Sequence, residues 1–308
     1  MCEAEERKNQ IRVISRVMSR CFSKCWSSMQ PITALVILVI WAQQTQAQAR
    51  KFERSKDMSA SFGTAYYLGE INPYKHFGGT LKPAFGLAYR TSYDRRWSMR
   101  LGFNYGTISA QDSLSEDPWI KNRNLSFVNE MVEGYGMAEF NFFSFQPGNR
   151  DFPISPYLFM GLSYLRMKPM VEFKGSVFEL QPLGTEGQGI GGFDKKYSTN
   201  VLGIPFGVGL KFNLYGSLAF SIEWGCRKTW TDYIDDISGK YVDSRILVDA
   251  NGPLASALAD QSLDKEPGQA GDPNAGFQRG DPGRKDFYFF SMASLIFRID
   301  KRATTCWK

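Results

Sequence analysis

The chain has one histidine in 308 residues, His76, and only Cys226 and Cys306 of its five cysteines fall after residue 49. A Ser-His-Asp triad would have to use His76, which stands between Lys75 and Phe77 with no nucleophile beside it. Two cysteines do not make a disulfide framework, and no Cys/His spacing suggests zinc. Basic runs are missing as well. Of the formal +6, residues 1–49 carry +3, with Arg7, Lys8, Arg12, Arg16, Arg20 and Lys24 against Glu3, Glu5 and Glu6. The remaining +3 is dispersed, which argues against nucleic acid as a partner. Long apolar runs are also lacking. Ile32–Ile40 is the one clear case, and it falls well short of the ~20 residues a spanning helix needs.

That short run lies behind Arg20 and Lys24 and is followed by Ala47-Gln48-Ala49, the pattern of a secretory signal peptide over residues 1–49. Cys21 and Cys25 precede the apolar core, so neither is placed to carry a lipid. Aromatic residues make up 15% of the chain and glycine is frequent at 29 residues, a mixture suited to strands and turns. A mean hydropathy of −0.31 speaks against a helical membrane protein. It does not speak against a β-barrel, where only every second strand residue need be apolar.

Period-2 alternation recurs along the rest of the chain. From Trp97 to Gly106 one face carries Trp97, Met99, Leu101, Phe103 and Tyr105, and the other Ser98, Arg100, Gly102, Asn104 and Gly106. Eight steps of ~3.4 Å give about 27 Å of strand, or roughly 20 Å of height at a ~40° tilt, close to the apolar band of an outer-membrane barrel with its aromatic edges. Phe85–Arg90, Leu158–Tyr164, Phe206–Phe212 and Leu218–Trp224 alternate in the same way, and Met58–Leu68, Leu125–Phe143 and Asp286–Ile299 more weakly. Asp286–Ile299 is apolar on both faces, so its inward side is not assigned. The expected fold is all-β: an eight-stranded antiparallel up-and-down transmembrane (outer-membrane) β-barrel over residues 50–300, with a tail over 301–308. Long loops are expected near 69–82, 109–124, 168–198 and 231–284. Short turns at Ser92–Arg95, Gln146–Pro153 and Leu214–Gly216 alternate with them. With Gly216 left-handed at the end of a three-residue loop, Asn213 pairs with Ser217, and Phe206, Val208, Leu210 and Phe212 face Trp224, Ile222, Phe220 and Leu218 toward lipid. The other face would carry Arg90, Arg100, Asn104, Lys211 and Arg227 against Glu133, Glu139 and Glu223. An eight-stranded lumen holds only its own side chains, so a salt-bridged packed interior is expected rather than a pore.

Three further segments invite chemistry. Asp232, Asp235 and Asp236 are calcium candidates, paired carboxylates for acid–base work, or a loop rim that pairs with Arg227 or Lys228 and caps the turn. Gly187–Gly192 matches G-x-G-x-x-G but opens no apolar-periodic helix, so a tightly turned loop is expected. Pro253 to Lys265 is expected to hold a short helix with Leu254 and Leu258 on one face. Lys265–Lys285 is expected to be mobile, with Phe277 as a candidate contact point. No catalytic residue, cofactor or firm metal site emerges.

Several segments together resemble a known family. They are Tyr66-Tyr67-Leu68-Gly69-Glu70-Ile71-Asn72; Arg123-Asn124-Leu125-Ser126-Phe127 followed by Glu133; Leu180-Gln181-Pro182-Leu183-Gly184-Thr185-Glu186-Gly187-Gln188-Gly189; Ile204 to Lys211; and Thr231 to Gly239. The chain resembles the PorG-like outer-membrane barrels of the Bacteroidetes, one of which belongs to the type IX secretion machinery. The resemblance implies a non-enzymatic barrel of the cell outer membrane. Its partners would be membrane lipid and the periplasmic ring, made of lipoprotein and soluble subunits, which it would anchor or position. The family brings no catalytic residues. The alternative is a general surface or adhesin-type barrel whose long loops bind a ligand.

Overall fold

A computed structural model describes residues 54–72, 76–77, 80–147, 153–264, 273–283 and 285–300. The proposed signal segment 1–49 and the tail 301–308 lie outside these. Nine strands follow one another: β1 (Ser55–Leu68), β2 (Lys82–Ser92), β3 (Trp97–Gln111), β4 (Ser126–Asn141), β5 (Ile154–Phe173), β6 (Ser176–Glu179), β7 (Asn200–Asn213), β8 (Leu218–Thr229) and β9 (Phe287–Arg298). All but β6 close into one antiparallel barrel, with β9 returning to β1 and β7 pairing with β5. β6 is a short flap that folds back on the end of β5.

The registers set the barrel's geometry. Stepping across the pairs from Lys56 through Thr91, Met99, Ala138, Met160, Phe206, Cys226 and Phe289 returns to β1 at Tyr66, ten residues further on. A stagger of ten over eight strands, at ~3.3 Å per residue and ~4.8 Å between strands, tilts the strands by about 40° and leaves a lumen filled by side chains.

Alternation decides which residues fill it. In β3, Trp97, Met99, Leu101, Phe103 and Tyr105 are exposed on the outside, while Ser98, Arg100 and Asn104 are buried inside. In β9, whose inward face the pattern left open, Tyr288, Phe290, Met292 and Ile296 point in, and Leu295 and Phe297 point out.

The β7–β8 register differs from the expected one by two residues. Phe212 pairs with Phe220, Leu210 with Ile222 and Val208 with Trp224. Gly216 is left-handed (φ 68°), but it sits in the middle of the loop, because Leu214 N–H donates to Leu218 O at 3.1 Å and Leu218 N–H to Tyr215 O at 3.2 Å. An even slip keeps every side chain on its own face, so the hydrophobic pattern alone does not distinguish the two registers.

Both ends of the lumen are closed. At the short-turn end the β4–β5 connection begins at Phe142, earlier than expected, and turns Phe145 inward against Ala219 and Ile296. At the long-loop end the loops fold into a lid. Its helices are α1 (Pro118–Arg123), α2 (Leu180–Leu183), α3 (Ser244–Asn251) and α4 (Pro253–Ala259). Ile71, Leu125, Leu180, Ile234, Ile237 and Leu258 from this lid join Phe127, Met131, Leu165, Met167 and Phe290 of the barrel in one continuous apolar core. The segment expected to be mobile is in part ordered. Among its described residues, Arg279 N–H donates to Gly239 O at 2.9 Å, Tyr241 N–H to Phe277 O at 3.0 Å, and Lys240 bridges Gln278.

Candidate functional site

The outer wall is one candidate surface. Phe206, Val208, Leu210, Ile222 and Trp224 are exposed on it, in line with Trp97–Tyr105 of β3, and Phe212, Leu218 and Phe220 are half-buried there. Leu87, Met160, Leu162 and Leu202 continue the apolar surface around the barrel. His76 folds against this wall. Its Nδ1 lies 3.2 Å from the Tyr66 hydroxyl, its ring meets those of Tyr66, Trp224 and Phe289, and Trp224 Nε1–H donates to Tyr66 at 2.9 Å. The histidine is thus part of an aromatic cluster.

The lumen is the second. Arg90 and Arg100 face each other directly across β2 and β3, an arrangement that repels unless a counter-charge intervenes. Glu139 of β4 supplies it: Arg90 Nε, Arg100 Nε and Lys211 Nζ lie 2.9, 3.0 and 2.5 Å from its carboxylate. Arg100 also reaches Glu223 at 2.7 Å, and Tyr157 donates to the same carboxylate at 2.8 Å. One layer higher, Glu133 accepts from Asn104 (2.7 Å) and Tyr288 (3.0 Å) and lies 3.5 Å from Arg227. All seven of these charged residues are buried, as is Asp57 of β1. Strand parity brings them inside, but their partners come from strands far apart in sequence.

The third is the lid. Glu186 is its hub: its two oxygens accept from the backbone N–H groups of Ser238 (2.9 Å) and Gly239 (3.0 Å), and Arg279 Nη1 donates to it at 2.9 Å. Arg279 also donates to Asp236 O (2.6 Å) and Ala259 O (3.1 Å). Two of the segments that carry the family resemblance, Leu180–Gly189 and Thr231–Gly239, are therefore docked on each other. Gly187, Gly189 and Gly192 all have positive φ in this segment, so the G-x-G-x-x-G match is a run of tight turns. Arg123 donates through Nη1 to Arg279 O at 2.9 Å and grips Asp112 through Nε (2.7 Å) and Nη2 (2.8 Å).

The three aspartates singled out for calcium do not converge. Asp232 accepts from Ser238 Oγ at 2.8 Å, Asp235 from the Tyr67 hydroxyl at 2.6 Å, and Asp236 from Thr185 Oγ1 and Tyr197 OH at 2.6 Å each. Their partners are not Arg227 or Lys228 either. Among the described residues no group of three His, Cys, Asp or Glu side chains is arranged to hold a metal ion, which corrects the calcium reading. Asp286, just before β9, shares Tyr67 with Asp235 at 2.7 Å. Burial raises both carboxyls; Asp286 and Glu70 push Asp235 further up, while Asp232 and Glu70 do the same for Asp286 against the hydrogen bonds from Tyr67 and Ile234, leaving Asp286 at about 8. Burial likewise brings Glu70 to about 7 and Asp236 to about 6, the latter against the opposing pull of Arg279. Tyr67, Glu186, Arg279 and Asp286 escape sequence reading as site residues, since nothing local marks partners up to 219 residues apart.

A family model described as a domain of unknown function (DUF6089) matches residues 30–181. No curated protein matches the chain. Among solved structures the chain is similar to the attachment invasion locus protein Ail of Yersinia pestis (11% identity, TM-score 0.36) and to Neisserial surface protein A (11%, 0.38). It is also similar to the N-terminal β-barrel domain of Pseudomonas aeruginosa OprF (9%, 0.33). Each likeness covers 80% of this chain and 100% of the other.

Proposed function

We propose that the chain is a non-enzymatic barrel of the cell outer membrane, its wall solvated by lipid and its lumen sealed. One observation carries this reading: the barrel is inverted, with charged residues paired inside and large apolar side chains exposed around the outside. In water such a wall would leave far more contiguous apolar surface open than a soluble monomer tolerates, whereas lipid covers it at no cost. The closed mouth and the paired lumen charges favour a scaffold over a channel.

The finer role, anchoring or positioning the periplasmic ring of the type IX machinery, is proposed on the sequence resemblance alone. It predicts that the short turns around Tyr93 and Tyr215 crosslink to the lipoprotein and soluble ring subunits, and that deletion of the gene stops cargo export. Normal export in the deletion strain would remove this role and leave the membrane barrel standing. A second reading, a surface barrel that binds through its lid, is favoured by Trp119, which is 84% exposed at the start of α1. It predicts that Trp119→Ala abolishes surface binding while export is unchanged.

A further inference from the structure

We propose that Tyr67, Asp235 and Asp286 form a proton-held latch that keeps the lid seated in the mouth of the barrel and releases it when the shared proton is lost. The hydroxyl of Tyr67 has one hydrogen to give. Its oxygen accepts from Glu70 N–H at 3.0 Å, and it stands 2.6 Å from Asp235 Oδ2 and 2.7 Å from Asp286 Oδ1. One of those two contacts is filled by the phenol's own hydrogen. The other is a close oxygen–oxygen approach that binds only if the carboxyl carries a proton. The count therefore requires one protonated aspartate, independently of any titration argument.

The surroundings agree. The groups facing the pair are Glu70 beyond β1, Asp232 on the same loop and Arg123 from α1. Two are acidic, and Arg123 is already held by both oxygens of Asp112. Lys285, next to Asp286, donates to Pro282 O at 2.8 Å. A second negative charge on the pair would thus be buried beside other carboxylates with no cation of its own.

The latch has a lever. Asp286 Oδ2 accepts from Ile234 N–H and Asp235 Oδ1 from Ile237 N–H, both at 3.0 Å. Ile234 and Ile237 are fully buried side chains of the apolar core that joins lid and barrel. Asp235 and Asp286 stand near the two ends of the longest loop, so one phenol of β1 pins both. Because the folded value lies above the unfolded one, the stabilisation is complete in acid and is lost as pH rises through about 8.

Hydrogen exchange on the full-length protein in detergent micelles, from pH 6 to 9.5, tests this. Rates are converted to protection factors, which removes the intrinsic acceleration by base. Protection over residues 232–238 should fall by up to about tenfold per pH unit from pH 6 to about 8 and level off above that, while β3 stays protected. Asp286→Asn supplies an amide hydrogen where the carboxyl proton sits, so its lid should remain protected to pH 9.5. Protection factors in the native protein that do not change with pH would overturn the latch, as would the same fall in Asp286→Asn. Should that variant fail to fold, the native titration decides alone, with β3 as its internal reference.

Discussion

Glu139 is the counter-charge of three cations at once, and its loss would leave Arg90, Arg100 and Lys211 facing one another inside a closed barrel. Glu139→Gln should cost about 3–5 kcal/mol, the range for stranding buried charge. Lys211→Met leaves Glu139 with two partners and should cost less; urea unfolding in micelles ranks the two, and equal or reversed losses would contradict the network. At this scale the sequence is informative about direction and silent about partners. Alternation puts Arg100, Lys211 and Glu139 on the same faces as the small residues. That β4 meets both β3 and β5, so that Glu139 can touch cations from β2, β3 and β7, follows only from the closed register.

At the scale of elements, the strands are legible because the period of two is strong where one face is apolar and the other polar. β9 defeats it, since Tyr288 and Phe290 pack in the lumen while Leu295 and Phe297 lie outside. The β7–β8 hairpin shows the complementary failure, where turn chemistry left a choice between registers that the pattern cannot make. The lid was the least legible part. Its order comes from long-range polar contacts such as Glu186–Arg279 rather than from local propensity, and Gly- and Pro-rich segments give little sign of them. Two predictions belong here. Glu186→Ala removes the acceptor of Arg279 and of two backbone N–H groups. It should open residues 232–240 to protease while the barrel's heat-dependent mobility on gels stays unchanged. Phe103→Arg, at the middle of the β3 stripe, should destabilise the barrel in bilayers by ~2–4 kcal/mol. Phe277→Arg on the lid should change stability by no more than about 0.5 kcal/mol, though both residues are about equally exposed.

In the proposed membrane setting the whole molecule divides into a wall that meets lipid, a lumen that meets neither lipid nor bulk water, and a lid that meets water. Phe103 (68% exposed) and Phe277 (66% exposed) are about equally exposed, and the proposed setting gives them different solvents. Cysteine at each position in turn, in an otherwise cysteine-free protein reconstituted into bilayers, can carry a small fluorophore. Quenching by brominated acyl chains and by aqueous iodide then reads the solvent directly. The account predicts quenching by bromine and not iodide at 103, and by iodide and not bromine at 277. Iodide quenching at 103 without bromine quenching would place the stripe in water and contradict it.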